Sequence, residues 1–139
     1  MSTRPGRVLG IDLGTVRIGL ALTDPDRTVA LPAGTVTVAG GPQDLKAVAA
    51  IAKEHDVTEI VVGHPITLRG ERSGAAQQAE EFADGLRLLL DLPVHLQDER
   101  LTTVEAERGA RTAGAGRRIR RVVDEAAASL ILRAFLDRS

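Results

Sequence analysis

Three acidic residues stand where the surrounding sequence would hold a carboxylate in a fixed place. Asp12 follows the apolar run Val8-Leu9-Gly10-Ile11 and precedes Leu13-Gly14-Thr15, Glu99 follows Val94-His95-Leu96-Gln97-Asp98, and Asp124 opens the alanine-rich stretch Glu125-Ala126-Ala127-Ala128. An ionised carboxylate in or beside buried apolar structure is costly unless it is hydrogen-bonded, paired or bound to a cation. Converging carboxylates from separate elements make an all-oxygen set of the kind that Mg2+ or Mn2+ accepts. Two such ions about 4 Å apart stabilise the attacking and the leaving oxygen of phosphodiester hydrolysis.

Each acid also has a plainer role open to it. Asp12 could close a hairpin turn, and Glu99 could pair with Arg100. Asp124 could cap its helix, where the positive end of the helix dipole favours the ionised form. Gly10 and Gly14 remove side-chain bulk beside Asp12, which would let a metal and a phosphate come close. Glu105 reads as part of a capping box with Thr102, and Glu107 and Glu125 as solvated. His55, His64 and His95 are not spaced as metal ligands and read as packed or surface histidines. The chain has no glycine-rich phosphate loop ending in Gly-Lys-Ser/Thr and no Ser-His-Asp arrangement.

The net charge is −1, yet Arg108, Arg111, Arg117, Arg118, Arg120 and Arg121 fall in a stretch from 108 to 123 without a single acid. By default the part from Arg117 to Arg121 is a solvated loop. Its place immediately before Asp124 favours a cationic surface that holds phosphates beside the metals, with Arg17 and Arg100 as further substrate contacts. If all six met single-stranded phosphates, the log–log salt slope of binding would approach about −4. With two phenylalanines and no tryptophan or tyrosine, base stacking is a poor basis for recognition.

The elements that must position these residues are legible from periodicity. Arg7–Leu13 and Ile18–Leu22 read as a hairpin, and Thr28–Val38 extends it into an antiparallel meander. Leu45, Val48, Ala49, Ile51 and Ala52 give the stripe of an amphipathic helix. Glu59–Gly63 reads as a buried strand, 63–74 as a loop, Ala75–Leu90 as a helix and Val94–Gln97 as a last strand. Helices follow over Thr102–Ala113 and Val122–Leu136. This order implies an α/β fold with a mixed five-stranded sheet, three antiparallel strands then two parallel, and helices on both faces. Ligands of such sheets gather at the carboxyl ends of the parallel strands, so Asp12, the 63–74 loop and Glu99 are expected at one edge.

A chain of 139 residues is expected to form a single domain, residues 1–139, large enough to bury a core without staples. It has no cysteine, which fits a reducing compartment. No apolar run reaches the roughly 20 residues of a membrane span, so a soluble, cytoplasmic protein is expected.

Taken together, four segments resemble the YqgF (RuvX-type) family of the RNase H-like superfamily. They are Gly10-Ile11-Asp12-Leu13-Gly14-Thr15 with Arg17-Ile18-Gly19-Leu20-Ala21, Val61-Val62-Gly63-His64-Pro65 with Gly70, Asp98-Glu99-Arg100-Leu101-Thr102-Thr103-Val104-Glu105-Ala106, and Val123-Asp124-Glu125-Ala126-Ala127-Ala128. The resemblance implies an RNase H-like fold and a metal-dependent nuclease that matures the 5′ end of 16S ribosomal RNA, with DNA-junction resolution also proposed for the family. It carries the catalytic and metal role to Asp12, Glu99 and Asp124. One departure stands out: where the family often has Asn and Asp in the loop after Gly63, this chain has Thr67 and Arg69, which puts a substrate role of that loop in doubt.

Three alternatives stand beside this reading. A Holliday junction resolvase would use the same chemistry, and a symmetric junction would call for a homodimer. A phosphate-binding ATPase of the actin and sugar-kinase type also begins with an Ile-Asp-Leu-Gly-Thr hairpin, but needs two such domains. A ribosome-associated or nucleic-acid-binding factor would need no catalysis.

Overall fold

The computed structural model describes residues 5–65, 74–98 and 117–138, with the backbone alone for 117–123. Glu99, Arg100, Thr67, Arg69, Arg108, Arg111 and the helix expected over Thr102–Ala113 lie outside the described residues.

The strands are β1 (Arg7–Leu13), β2 (Arg17–Thr23), β3 (Ala30–Thr37), β4 (Val57–His64) and β5 (Val94–Asp98). They form one sheet in the order β3-β2-β1-β4-β5. β1 pairs antiparallel with β2, and β2 with β3, whereas β1–β4 and β4–β5 are parallel. This is the mixed five-stranded sheet expected from the element order.

Alternation along β1 divides the molecule. Leu9 and Ile11 enter one core, with Ile18, Leu20, Ile60, Val62 and Leu86, under helices α1 (Pro42–Glu54) and α2 (Gly74–Leu89). Val8 faces the other core, with Ala21, Val61, Ala127, Ala128, Ile131 and Leu132. That second face is covered by α3 (Arg117–Arg138). Helices therefore cover both faces, and Asp12, two residues beyond Gly10 on its strand, belongs to the α3 side.

Local chemistry explains the boundaries. α1 starts at Pro42, whose fixed φ suits a first helical position, behind Gly41 at φ 60°. The Asp44 carboxylate accepts hydrogen bonds from the backbone N–H groups of Ala39 (2.8 Å) and Gly40 (3.1 Å), tying the approach to the helix. β3 begins at Ala30 rather than at Thr28, because the N–H groups of Thr28 and Val29 donate to Asp24 and not to the β2 ladder.

The largest departure concerns α3. As described it runs from Arg117 and not from near Val122, so Arg117, Arg118, Arg120 and Arg121 belong to a helix and not to a solvated loop. Arg117-Arg118-Ile119-Arg120-Arg121-Val122-Val123 contains no glycine or proline, and arginine is a good helix former.

Candidate metal and nucleic-acid site

Asp12 lies inside β1, not in the turn, with 3% of its surface exposed. Its partner across the antiparallel ladder is Gly19, so both point to the α3 face. A Cβ built on Gly19 would lie 3.2 Å from the Cβ of Asp124 and 2.1 Å from its carbonyl oxygen. Cross-strand Cβ atoms stand about 5 Å apart, so the Cβ atoms of Asp12 and Asp124 lie within roughly 9 Å of each other. Residues far apart in the sequence thus bring two carboxylates to one face at one end of the sheet.

Asp124 sits about two turns inside α3, so it neither caps the helix nor feels the dipole of its first turn. Its charge is met instead by Arg17, whose Nε donates to Oδ2 at 3.0 Å. Both side chains are largely sheltered. Arg17 reads in sequence as a substrate contact; the structure joins it first to an acid. Nothing in the sequence marks this pair apart from the shared hairpin that carries Asp12, Arg17 and Gly19.

The glycines beside Asp12 serve packing more than open approach. A Cβ on Gly10 would meet Leu132 Cβ at 3.0 Å and the Ala128 carbonyl at 3.1 Å, and one on Gly14 would meet the Arg17 carbonyl at 2.4 Å. Gly10 and Gly19 therefore let α3 lie close on the sheet, and Gly14 closes the β1–β2 turn.

The neighbouring parallel strand continues the row. Ile11 pairs with Val62 and Gly63 pairs with Gln97, so the position next to Asp12 across β1–β4 is again a glycine. Gln97 is buried and accepts a hydrogen bond from Arg138 Nη1 at 2.8 Å. His95 stacks against Phe135 of α3, with ring centroids 5.1 Å apart. His95 and Gln97 thus face α3, whereas His64 faces α2, where it meets Glu80 at 2.7 Å. His95 also pairs with Glu59 at 2.6 Å. Each of the two histidines thus meets a carboxylate, His64 largely sheltered and His95 half exposed.

Among the described residues no three His, Cys, Asp or Glu side chains form a metal-binding group; two of the three expected acids are described. Their donor set fits Mg2+ or Mn2+: carboxylate oxygens from a strand and a helix, one of them on a buried side chain. A cleft of about 440 Å3, lined by Leu13, Gly14, Thr15, Leu45, Glu81 and Phe82, opens on the α1–α2 side. It backs the acid pair and does not contain it.

The RuvX family model, described as "Holliday junction resolvase", matches residues 6–138. The chain belongs to the RuvX family. A relative from Roseiflexus sp. (strain RS-1), named "Putative pre-16S rRNA nuclease", is 43% identical over 140 residues, covering 99% of this chain and 98% of its own. One of the same name from Rhodococcus jostii (strain RHA1) is 48% identical over 138 residues, covering 95% of this chain and 78% of its own. Among solved structures, T. thermophilus RuvC in complex with Holliday junction substrate is similar with a TM-score of 0.58 and 16% identity over 96% of both chains. That likeness is one of fold. No helix among the described residues is long and apolar enough to cross a membrane.

Proposed function

We propose that this RuvX chain is a divalent-metal-dependent endonuclease that cleaves structured nucleic acid in the cytoplasm, with the 5′ end of precursor 16S ribosomal RNA as its substrate. The observation that carries the reading is the buried Asp12 side chain on the same face of the sheet as Asp124, near the strand end where α/β sheets gather ligands. The names of the relatives that match nearly the whole chain support ribosomal RNA as substrate.

In this reading Asp12 and Asp124 hold Mg2+ or Mn2+ together with Glu99. A divalent cation held there supplies charge stabilisation to the attacking and leaving oxygens of the phosphodiester. The chain's own residues do the rest. Asp12, fixed within a paired strand, keeps its carboxylate in place without reordering. The guanidinium of Arg17 has terminal amino groups with no partner among the described residues and can meet a phosphate while Nε holds Asp124. Arg100, Arg117, Arg118, Arg120 and Arg121 draw the nucleic-acid backbone to this edge.

The description of the matching family favours a second substrate, a four-way DNA junction, for which a homodimer would suit the two-fold symmetry. The test presents precursor 16S RNA carrying its 5′ extension and a four-way DNA junction to wild type and Asp12→Asn, each with Mg2+ or Mn2+. Wild type is expected to cut the RNA. Asp12→Asn should lose several kcal/mol of transition-state stabilisation, a fall of roughly 1,000-fold. Cleavage of the junction alone moves the substrate to DNA. Cleavage that ignores the substitution removes Asp12 from the chemistry, and binding without cleavage of either substrate supports the non-catalytic factor.

A further inference from the structure

The geometry points to Arg17 as a positioning residue for the cation: it grips Asp124 by one carboxylate oxygen and leaves the other to the metal. The inference rests on the proposed reading of Asp12 and Asp124 as metal acids, and assigns Arg17 a role that phosphate contact alone would not require.

Arg17 and Gly19 are two residues apart on β2, so they face the same side of the sheet. Gly19 clears the place where the Asp124 backbone rests. Arg17 then reaches the side chain, its Nε donating to Oδ2 at 3.0 Å. Among the described residues Asp124 has no other side-chain partner, and Arg17 engages Oδ2 alone. The contact is enclosed as well as short, with side-chain exposures of 13% for Arg17 and 18% for Asp124, so solvent screening is reduced but not absent.

Two consequences follow for a cation. A carboxylate anchored at one oxygen has already given up most of its rotational freedom, so less ordering is needed when a metal takes the second oxygen. Hydrogen-bonded partners of ligating carboxylates commonly contribute 10–100-fold to metal affinity. The guanidinium also offsets the repulsion between Asp12 and Asp124 in the metal-free protein. A guanidinium that merely competed for Asp124 would have the opposite effect, since its removal would free the acid for metal. The sign of the change therefore decides the role.

The experiment is calorimetric titration of Mn2+ into the full chain as wild type, Arg17→Gln, Arg17→Lys and Asp12→Asn, with thermal melting of each in chelator. Positioning predicts that Arg17→Gln loses about 10–100-fold in Mn2+ affinity. Arg17→Lys should recover part of it, because lysine keeps the charge but not the planar donor geometry. The melting temperatures in chelator separate impaired positioning from an undocked α3, and the lysine variant reports even if the glutamine variant does not fold. Equal or tighter Mn2+ binding by Arg17→Gln, with Asp12→Asn still abolishing it, overturns this inference and leaves the metal reading intact. Absence of binding by wild type, or binding indifferent to Asp12→Asn, overturns both.

Discussion

The carbonyl oxygen of Asp124 lies 2.1 Å from where a Cβ of Gly19 would be. The strand next to Asp12 and the helix that carries the second acid are thus in backbone contact, with no side chain between them. That contact holds the Asp124 backbone against the strand paired with Asp12.

Gly19→Ala should therefore act on both stability and site. The clash is with backbone, which cannot swing aside, so α3 must shift. Overpacking of this kind costs about 1–3 kcal/mol, read as a lower urea midpoint with an unchanged slope. Because the shift separates Asp12 from Asp124, Mn2+ affinity should fall as well. A variant with full stability and unaltered Mn2+ binding would show that the close approach is not needed.

Acid sensitivity should centre on the turn between β2 and β3. Asp24 accepts hydrogen bonds from the Thr28 hydroxyl at 2.7 Å and from the N–H groups of Thr28 and Val29. The Thr28 hydroxyl is the main cause, the Val29 N–H the next, of a carboxyl lowered from 3.8 to about 2. A group whose folded value is depressed contributes stability above its unfolded value and loses it as pH falls through the folded one. The contribution is thus full above pH 4 or so and disappears on the way down to about 2. Thr28→Val should move the Asp24 titration, followed by carboxyl NMR, back toward the ordinary value. The stability gap between wild type and variant should close as pH drops across that window. A gap that stays constant with pH would mean these bonds do not favour the ionised form.

The arginines at the start of α3 should govern how binding depends on salt. Arg117, Arg118, Arg120 and Arg121 share a helix with Asp124. Each arginine that no longer neutralises a phosphate lowers the log–log salt slope by about 0.7 on single strands and 0.9 on duplex. Changing all four to glutamine should flatten the slope by up to about 3 in a KCl series of anisotropy measurements on precursor 16S RNA. Binding should weaken about equally on unrelated sequences, because interactions with the phosphate backbone carry no base identity. An unchanged slope would put the run away from the substrate.

Alternation in Val8, Gly10 and Asp12 was enough to place the acid on one face of β1 and Leu9, Ile11 and Leu13 on the other. The glycine punctuation and the β-to-helix order were enough for a mixed sheet covered on both sides. These are short-range regularities, with a period of two in strands and 3.6 in helices, and they are written within a few residues of each other. The family motifs pointed to the same three acids, Asp12, Glu99 and Asp124, that local context singles out. The start of α3 was not legible in the same way. Asp124 carried the signature of a helix cap, but arginines with no breaker among them propagate a helix just as well, and local sequence did not distinguish the two.

What only the tertiary structure decided is the environment of the acids. Gly10 and Gly14 read as space for a ligand, yet α3 and the Arg17 backbone occupy those places. Arg17 read as a phosphate contact, yet its Nε holds Asp124 across a separation of 107 residues. The amino-acid order by itself determined which residues carry charge and which face of its strand each one takes. It did not determine which partner meets each charge, because that depends on how α3 crosses the sheet, and the crossing is set by close packing at Gly19 and Gly10 rather than by any pattern within one segment.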